Sequence, residues 1–418
     1  MSRGGRRVVV TGMGGLCALG SDWETVRAGL QRGASGVVRV PDFAEVHGLR
    51  TQLGAPVAFE RPAEWPRKAV RSMGRVAQLA TRATELALAG AGLAGSPLLR
   101  DGSTGIAYGS TSGSPPDMVA YAHAFGALRS VKGVTPTEYL RLMSHTCAAN
   151  LAAFFGVRGR ILPTPSACTS GSQAIGFGYE AIRFGRAERM LCGGAEELHP
   201  IQAAVFDLLF AASTRNDAPE ETPRPFDAAR DGLVVGEGAA TLVLEELEQA
   251  RARGATVRAE IVGFGTNCDG GHLTAPDTDG MEAAMRLGLA DAGLAPSDVD
   301  YVNAHATATE QGDRAESEAT RRVFGGATPI SSLKGHLGHT LGACGALEAW
   351  LTLEMLREGW FAPTLHLAHP DPECAELDYV MSAPRRLAAE HVASHNFAFG
   401  GVNTSLVFRS VRSGDGLK

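Results

Sequence analysis

The sequence has no Cys-x-x-Cys pair: its seven cysteines are odd in number and stand far apart. That spacing excludes a zinc ribbon and argues against a disulfide framework, so a reducing, cytoplasmic setting is expected. Long apolar runs are also missing. After the basic start, the first apolar run is only three valines, Val8–Val10, too short for a signal-peptide core or a membrane span. There is no surplus of positive charge: the formal net charge is −6, so no nucleic-acid footprint is expected. Low-complexity sequence is confined to the short end Arg409–Lys418. One further absence matters. Glycines follow the first strand pattern, but a dinucleotide fingerprint from Gly12 would need a third glycine where Cys17 stands. The acidic candidate, Asp42, lies beyond a proline. A structural turn is therefore expected there, and no cofactor.

What is present is an ordinary globular composition, 44% hydrophobic and 20% charged, with 52 glycines that follow no period. β-Branched runs alternate with amphipathic helical patterns along the whole chain. "RRVVVTGMGG" and "AEIVGFGTN" read as strands ending in glycine turns, and "RKAVRSMGRVAQLATRATELALAGAGL" as one long helix. "SGSQAIGFGYEAIRFG" and "GACGALEAWLTLEMLREG" read as two more helices. The alternation predicts a mostly parallel sheet covered by helices. The rhythm repeats, as if two halves, 1–250 and 251–418, arose by duplication.

One stretch carries chemistry. In "PTPSACTSGSQAIG", Cys168 lies among small residues at a strand-to-helix junction. A thiol at a helix N-terminus has its pKa lowered, yet a free cysteine is also commonly a buried small hydrophobe. Taken alone, the stretch leaves both open. His305 in "NAHATATEQGD" and His339 in "SLKGHLGHTLGACGALE" add two histidines at strand ends of the second half, where parallel sheets form their crevices. His336 and His339 have a three-residue spacing that suits a metal, but no third ligand is suitably spaced, so no metal is expected.

Together with "RPFDAARDGLVVGEGA" and "NFAFGGVN", these motifs resemble the β-ketoacyl-acyl-carrier-protein synthases of Cys-His-His type, similar to synthase II, over nearly the whole chain. The resemblance implies the thiolase fold: duplicated βαβαβαββ halves in five α-β-α-β-α layers. It implies decarboxylative condensation of an acyl chain on Cys168 with malonyl carrier protein, with His305 and His339 donating hydrogen bonds to the malonyl thioester oxygen. Lys334 would support the site and pair with Glu348. Phe399 would gate the acyl pocket, and its N–H with that of Cys168 would form an oxyanion hole. Thr307 and Thr309 would bind the pantetheine arm. The 224–239 segment is assigned no chemistry.

Some residues depart from the family pattern. Ala306, Ala308 and Ala398 stand where glycines are usual, and Cys344 where alanine is usual. None of these removes a catalytic group, though the first three bear on chain selectivity. The implied partner is an acidic acyl carrier protein, for which Arg67, Lys68 and Arg71, with Arg61 and Arg75, offer a basic docking face or simply a solvated one. A homodimer and a heterodimer with a chain-length-factor-like subunit are both compatible with the resemblance. "CTSGSQAIGFGYEAIRFG" and "LREGWFAPTLHL" are most similar to synthases of aryl polyene pigments. A general fatty-acid elongation synthase is the alternative, followed by a non-catalytic chain-length factor or a degradative thiolase.

Overall fold

In the computed structural model the described residues are 5–411, so Arg412–Lys418 of the short C-terminal end lie outside them. Eleven strands form one sheet: β1 Val8–Leu16, β2 Thr104–Gly109, β3 Ile161–Pro163, β4 Arg189–Glu196, β5 Gly238–Glu246, β6 Ala259–Cys268, β7 Tyr301–Asn303, β8 Pro329–Ser331, β9 Asp378–Tyr379, β10 His391–Ala398 and β11 Val402–Ser410. Their order is β9-β8-β7-β10-β11-β6-β1-β5-β4-β2-β3. From the centre outward the first half runs β1-β5-β4-β2-β3, and the second runs β6-β11-β10-β7-β8 with β9 added at the edge. In both halves the two inner pairings are antiparallel and the next two parallel. Within the sheet the two halves are joined by the pairing of Val8–Val10 with Ala259–Ile261.

The sheet is thus mixed, not mostly parallel as the alternation suggested. The physical reason is connection length. β10 and β11 are linked by Phe399, Gly400 and Gly401, with both glycines at positive φ, and so short a link can join only antiparallel neighbours. The expected glycine turn after Val10 is also absent. β1 continues through Gly12 with a register shift against β5 between Val10 and Gly12, and a Cβ on Gly12 would lie 2.2 Å from the carbonyl oxygen of Ala87. Glycine is needed there for close helix-on-sheet contact.

Five layers result. Helices α1 Arg75–Gly90 and Thr146–Phe155 cover the outer face of the first half-sheet, and α3 Thr278–Ala292 with α4 Glu310–Phe324 that of the second. Between the half-sheets lie α2 Ser170–Arg183 and α5 Cys344–Glu358, which touch each other and strands of both halves. Their N-terminal ends meet because they are built from small residues. A Cβ on Gly171 would sit 2.8 Å from the Ala346 nitrogen, and one on Gly345 2.7 Å from the Ser172 Cβ. This contact brings the Cys168 turn against residues 339–344. The long helix expected over 67–93 is broken: Arg67–Val70 forms one turn, and α1 starts only at Arg75. Among the described residues no helix is long and apolar enough to cross a membrane.

Candidate active site

Cys168 sits in the single 3₁₀ turn Ala167–Thr169 that leads into α2, with Ala167 at φ +49°. A left-handed residue just before the cysteine bends the chain sharply and turns the thiol inward. The second half repeats the device at Leu341–Ala343, with Leu341 at φ +47°, ahead of α5. His339 lies immediately before that second turn. Its Nε2 is 3.0 Å from Cys168 Sγ. His305 follows β7, and its ring stands nearly perpendicular to that of His339, centroids 5.1 Å apart. Lys334 Nζ is 3.2 Å from His305 Nδ1 and 2.5 Å from Glu348 Oε1. Cys344 donates from its thiol to the Cys168 carbonyl at 3.1 Å.

The tautomer of His305 follows from its neighbours. An ammonium can only donate, so Nδ1 accepts, and a neutral ring then carries its proton on Nε2. Burial, reinforced by the Lys334 charge, holds both His305 and His339 well below the ordinary histidine range. Both rings are neutral hydrogen-bonding groups near neutral pH. Lys334 is 1% exposed; burial pulls its pKa down, but Glu348 together with Cys344 and Glu316 outweighs this, raises it and keeps it an ammonium. The Cys168 thiol does not behave as a helix N-terminus alone would dictate. Burial pushes it up to about 12, against the opposing pull of Lys334, because loss of solvation outweighs the end of the helix dipole.

A cavity of about 520 Å³ opens onto this group and is lined by Cys168, His305, His339, Thr307, Thr309 and Phe399, among others. The two threonine hydroxyls are 3.0 Å apart. Phe399 lies in the β10–β11 connection, half-buried, its ring 5.4 Å from Phe206, which in turn is 6.3 Å from His339. The donor atoms of Cys168, His305 and His339 lie within 4.8 Å of one another, as do those of His305, Cys344 and Glu348. The Lys334 ammonium between these sets opposes a bound cation. His336 points elsewhere, its two ring nitrogens 2.8 and 3.2 Å from the carbonyls of Ala34 and Pro363.

Several positioning residues escaped the sequence reading. Glu316 accepts from the backbone N–H groups of His305 and Ala306 at 2.8 and 2.6 Å, and Asp313 from those of Ala308 and Phe226 at 3.1 and 2.7 Å. The segment left without chemistry is the clamp. Val234 and Gly236 bond the backbone of His339, and Arg230 reaches the carbonyls of Thr309 and Glu310 and the carboxylate of Asp371. The one signal for it was the density of charge in "RPFDAARDG", which local reading takes for a surface loop. Ala308 is at φ +68°, which accounts for the usual glycine there.

Of the basic residues, Arg67, Lys68 and Arg71 are exposed. Arg61, Arg67, Arg71 and Arg141 line a surface groove that shares no lining residue with the cavity. Arg75 lines the same groove, but its guanidinium forms a two-pronged contact with Glu237 at 2.6 and 2.9 Å, so its charge is already paired.

Residues 5–250 match the family described as "Beta-ketoacyl synthase, N-terminal domain", and residues 258–368 match its "C-terminal domain". The chain belongs to the β-ketoacyl synthase family. As a synthase it is an acyl-transferring condensing enzyme of thiolase fold. It is 36% identical over 406 residues to the 3-oxoacyl-[acyl-carrier-protein] synthase 1 of Haemophilus influenzae, covering 97% of this chain and 99% of that one. A crystal structure of a β-ketoacyl synthase from Burkholderia phymatum superimposes with a TM-score of 0.96 at 57% identity, covering 97% of this synthase and all of the other. The ketosynthase of AntDE:AntF, a type II polyketide carrier protein in complex with its ketosynthase bound to the hexaketide, gives a TM-score of 0.87 at 29% identity, covering 98% and 100%.

Proposed function

We propose that Cys168 holds the acyl chain and that His305 and His339 stabilise the enolate formed from malonyl carrier protein. The observation that carries this reading is the Cys168 Sγ to His339 Nε2 contact of 3.0 Å, with His305 Nδ1 held by Lys334 at its side. In this reading the half 1–250 brings the nucleophile, and the half 251–418 brings Lys334 and both histidines.

In the first step the Cys168 sulfur attacks the incoming thioester carbonyl, its developing negative charge held by the Nε2–H of His339, and its proton passes to the departing pantetheine sulfur. The tetrahedral oxygen is met by backbone N–H groups of Cys168 and Phe399. In the second step the C–C bond to the malonyl carboxylate breaks and CO2 leaves. The electron pair places negative charge on the malonyl thioester oxygen, where the Nε2–H groups of two neutral rings are preorganised donors. The enolate carbon then attacks the acyl-Cys168 carbonyl. Collapse expels the Cys168 sulfur, which regains a proton, and leaves β-ketoacyl carrier protein. Phe399 gates the acyl pocket, and Thr307 and Thr309 hold the pantetheine arm across the cavity mouth.

The partner is an acyl carrier protein, docked on Arg67, Lys68 and Arg71; the likeness to a ketosynthase solved with its carrier protein supports this. We read the chain carried as a conjugated aryl polyene, on the similarity of "CTSGSQAIGFGYEAIRFG" and "LREGWFAPTLHL" to synthases of those pigments. The test uses purified protein with carrier-bound aryl and straight-chain primers and carboxyl-labelled malonyl carrier protein. Cys168 gains the acyl mass and labelled CO2 is released. Cys168→Ala abolishes elongation, and Cys168→Gln releases CO2 without elongation. Elongation by Cys168→Ala would overturn the assignment, and equal loading of both primers would overturn the aryl polyene reading.

A further inference from the structure

Asn396 on β10 is fully buried, and its side chain points into the site. Its amide nitrogen is 2.6 Å from Glu348 Oε2, 3.4 Å from His305 Nδ1 and 3.6 Å from Cys344 Sγ. Lys334 spans the same two partners from the other side, at 2.5 Å from Glu348 Oε1 and 3.2 Å from His305 Nδ1. His305, Lys334, Glu348 and Asn396 therefore close a ring in which a cation and a neutral amide both link the imidazole to the carboxylate. The amide orientation is demanded by chemistry, because an oxygen aimed at Glu348 would set two acceptors against each other.

We propose that Asn396 is a positioning residue that keeps the His305 proton on Nε2. The hazard it removes is Glu348. A carboxylate that shares the Lys334 ammonium with His305 Nδ1 and has an oxygen within 4.8 Å of a His305 ring nitrogen favours the opposite tautomer, with N–H on Nδ1 and a bare Nε2 facing the cavity. That ring would accept a hydrogen bond and could not stabilise an enolate oxygen. The Asn396 amide occupies one Glu348 oxygen and presents its other N–H to Nδ1, so that Nδ1 faces donors only. The ionisable groups facing position 396 are Glu348 and Cys344 on α5, Lys334, and His305 after β7.

This rests on His305 acting as a donor, and the experiment separates the two claims. Decarboxylation of malonyl carrier protein and acyl loading of Cys168 are measured for the intact protein, Asn396→Asp, Asn396→Ala and His305→Ala, between about pH 6 and about pH 8.5. Asn396→Asp keeps the shape but offers Nδ1 an acceptor. Its decarboxylation kcat falls by about 10²-fold at the alkaline end, while KM and acyl loading stay within about twofold. The deficit narrows as pH falls, because the introduced carboxyl gains a proton and becomes a donor. Asn396→Ala loses less at alkaline pH and shows no such pH dependence. Equal losses in the two variants with flat pH profiles, or wild-type kcat in Asn396→Asp, would overturn the proposal. Undiminished decarboxylation in His305→Ala would overturn the donor role of His305 itself.

Discussion

Replacing Lys334 by methionine tests the electrostatics of the site most directly. The side chains of Lys334 and Glu348 are 1% and 3% exposed, with 2.5 Å between Nζ and Oε1. At an effective dielectric constant of about 20, such a separation corresponds to roughly 7 kcal/mol of gross attraction. Much of that is cancelled by desolvation, so the net effect of removing one partner is about 3–5 kcal/mol, the penalty of an uncompensated buried charge. Scaling unfolding entropy to a chain of this length turns that into a fall in Tm of roughly 5 °C. The loss also has a pH signature. Burial already holds the Glu348 carboxyl above its ordinary value, with Lys334 pulling it back, and methionine removes that pull. With a folded pKa above the unfolded one, the folded state binds the extra proton. The stability contributed by this group is present at low pH and lost as pH rises through the folded value. Lys334→Met is therefore less deficient at about pH 5.5 than at about pH 8, and Lys334→Met/Glu348→Leu recovers most of the loss. Thermal unfolding of the single and double variants at both pH values measures this. A deficit under about 1 kcal/mol, or one equal at the two pH values, would refute the reasoning.

The same geometry sets three further outcomes. Because burial pushes the Cys168 thiol up to about 12, its alkylation by iodoacetamide in the free protein rises about tenfold per pH unit across neutral pH; a plateau below about pH 8, read by mass spectrometry on Cys168, contradicts it. Gly12→Ala sets a Cβ 2.2 Å from the Ala87 carbonyl oxygen and 2.7 Å from the Ala91 Cβ, so it destabilises by about 2–3 kcal/mol in denaturant unfolding, and an unchanged midpoint contradicts the close packing of α1 on β1. Lys68→Glu with Arg71→Glu raises the KM for carrier-bound substrate and leaves Tm unchanged, whereas Arg75→Ala, which removes the contact to Glu237, lowers Tm; an unchanged KM in the charge-reversed protein would remove the docking claim.

The residues gathered at the site were legible because each sits in a short motif at a strand end, and the order of those motifs survives in the linear chain. Cys168, His305, Lys334 and His339 are brought together by the same small-residue turns that made the motifs visible. The residues that hold them were not legible. Glu316, Asp313 and Arg230 read as helix-surface or loop charge, and Asn396 as part of a strand beside a glycine turn. Their functions lie in contacts across 5 to 91 positions of sequence.

Periodicity and local composition are short-range properties, so the sequence by itself determined the succession of strands and helices, the doubled plan and which residues gather at the candidate site. Strand direction is a property of connections, and only the folded chain showed that five of the ten strand pairings are antiparallel. Proton affinity depends on solvation and on charges brought near by folding. The tertiary structure alone therefore decided that the Cys168 thiol is raised instead of lowered, that both histidines are neutral, and that the Arg75 charge is paired with Glu237.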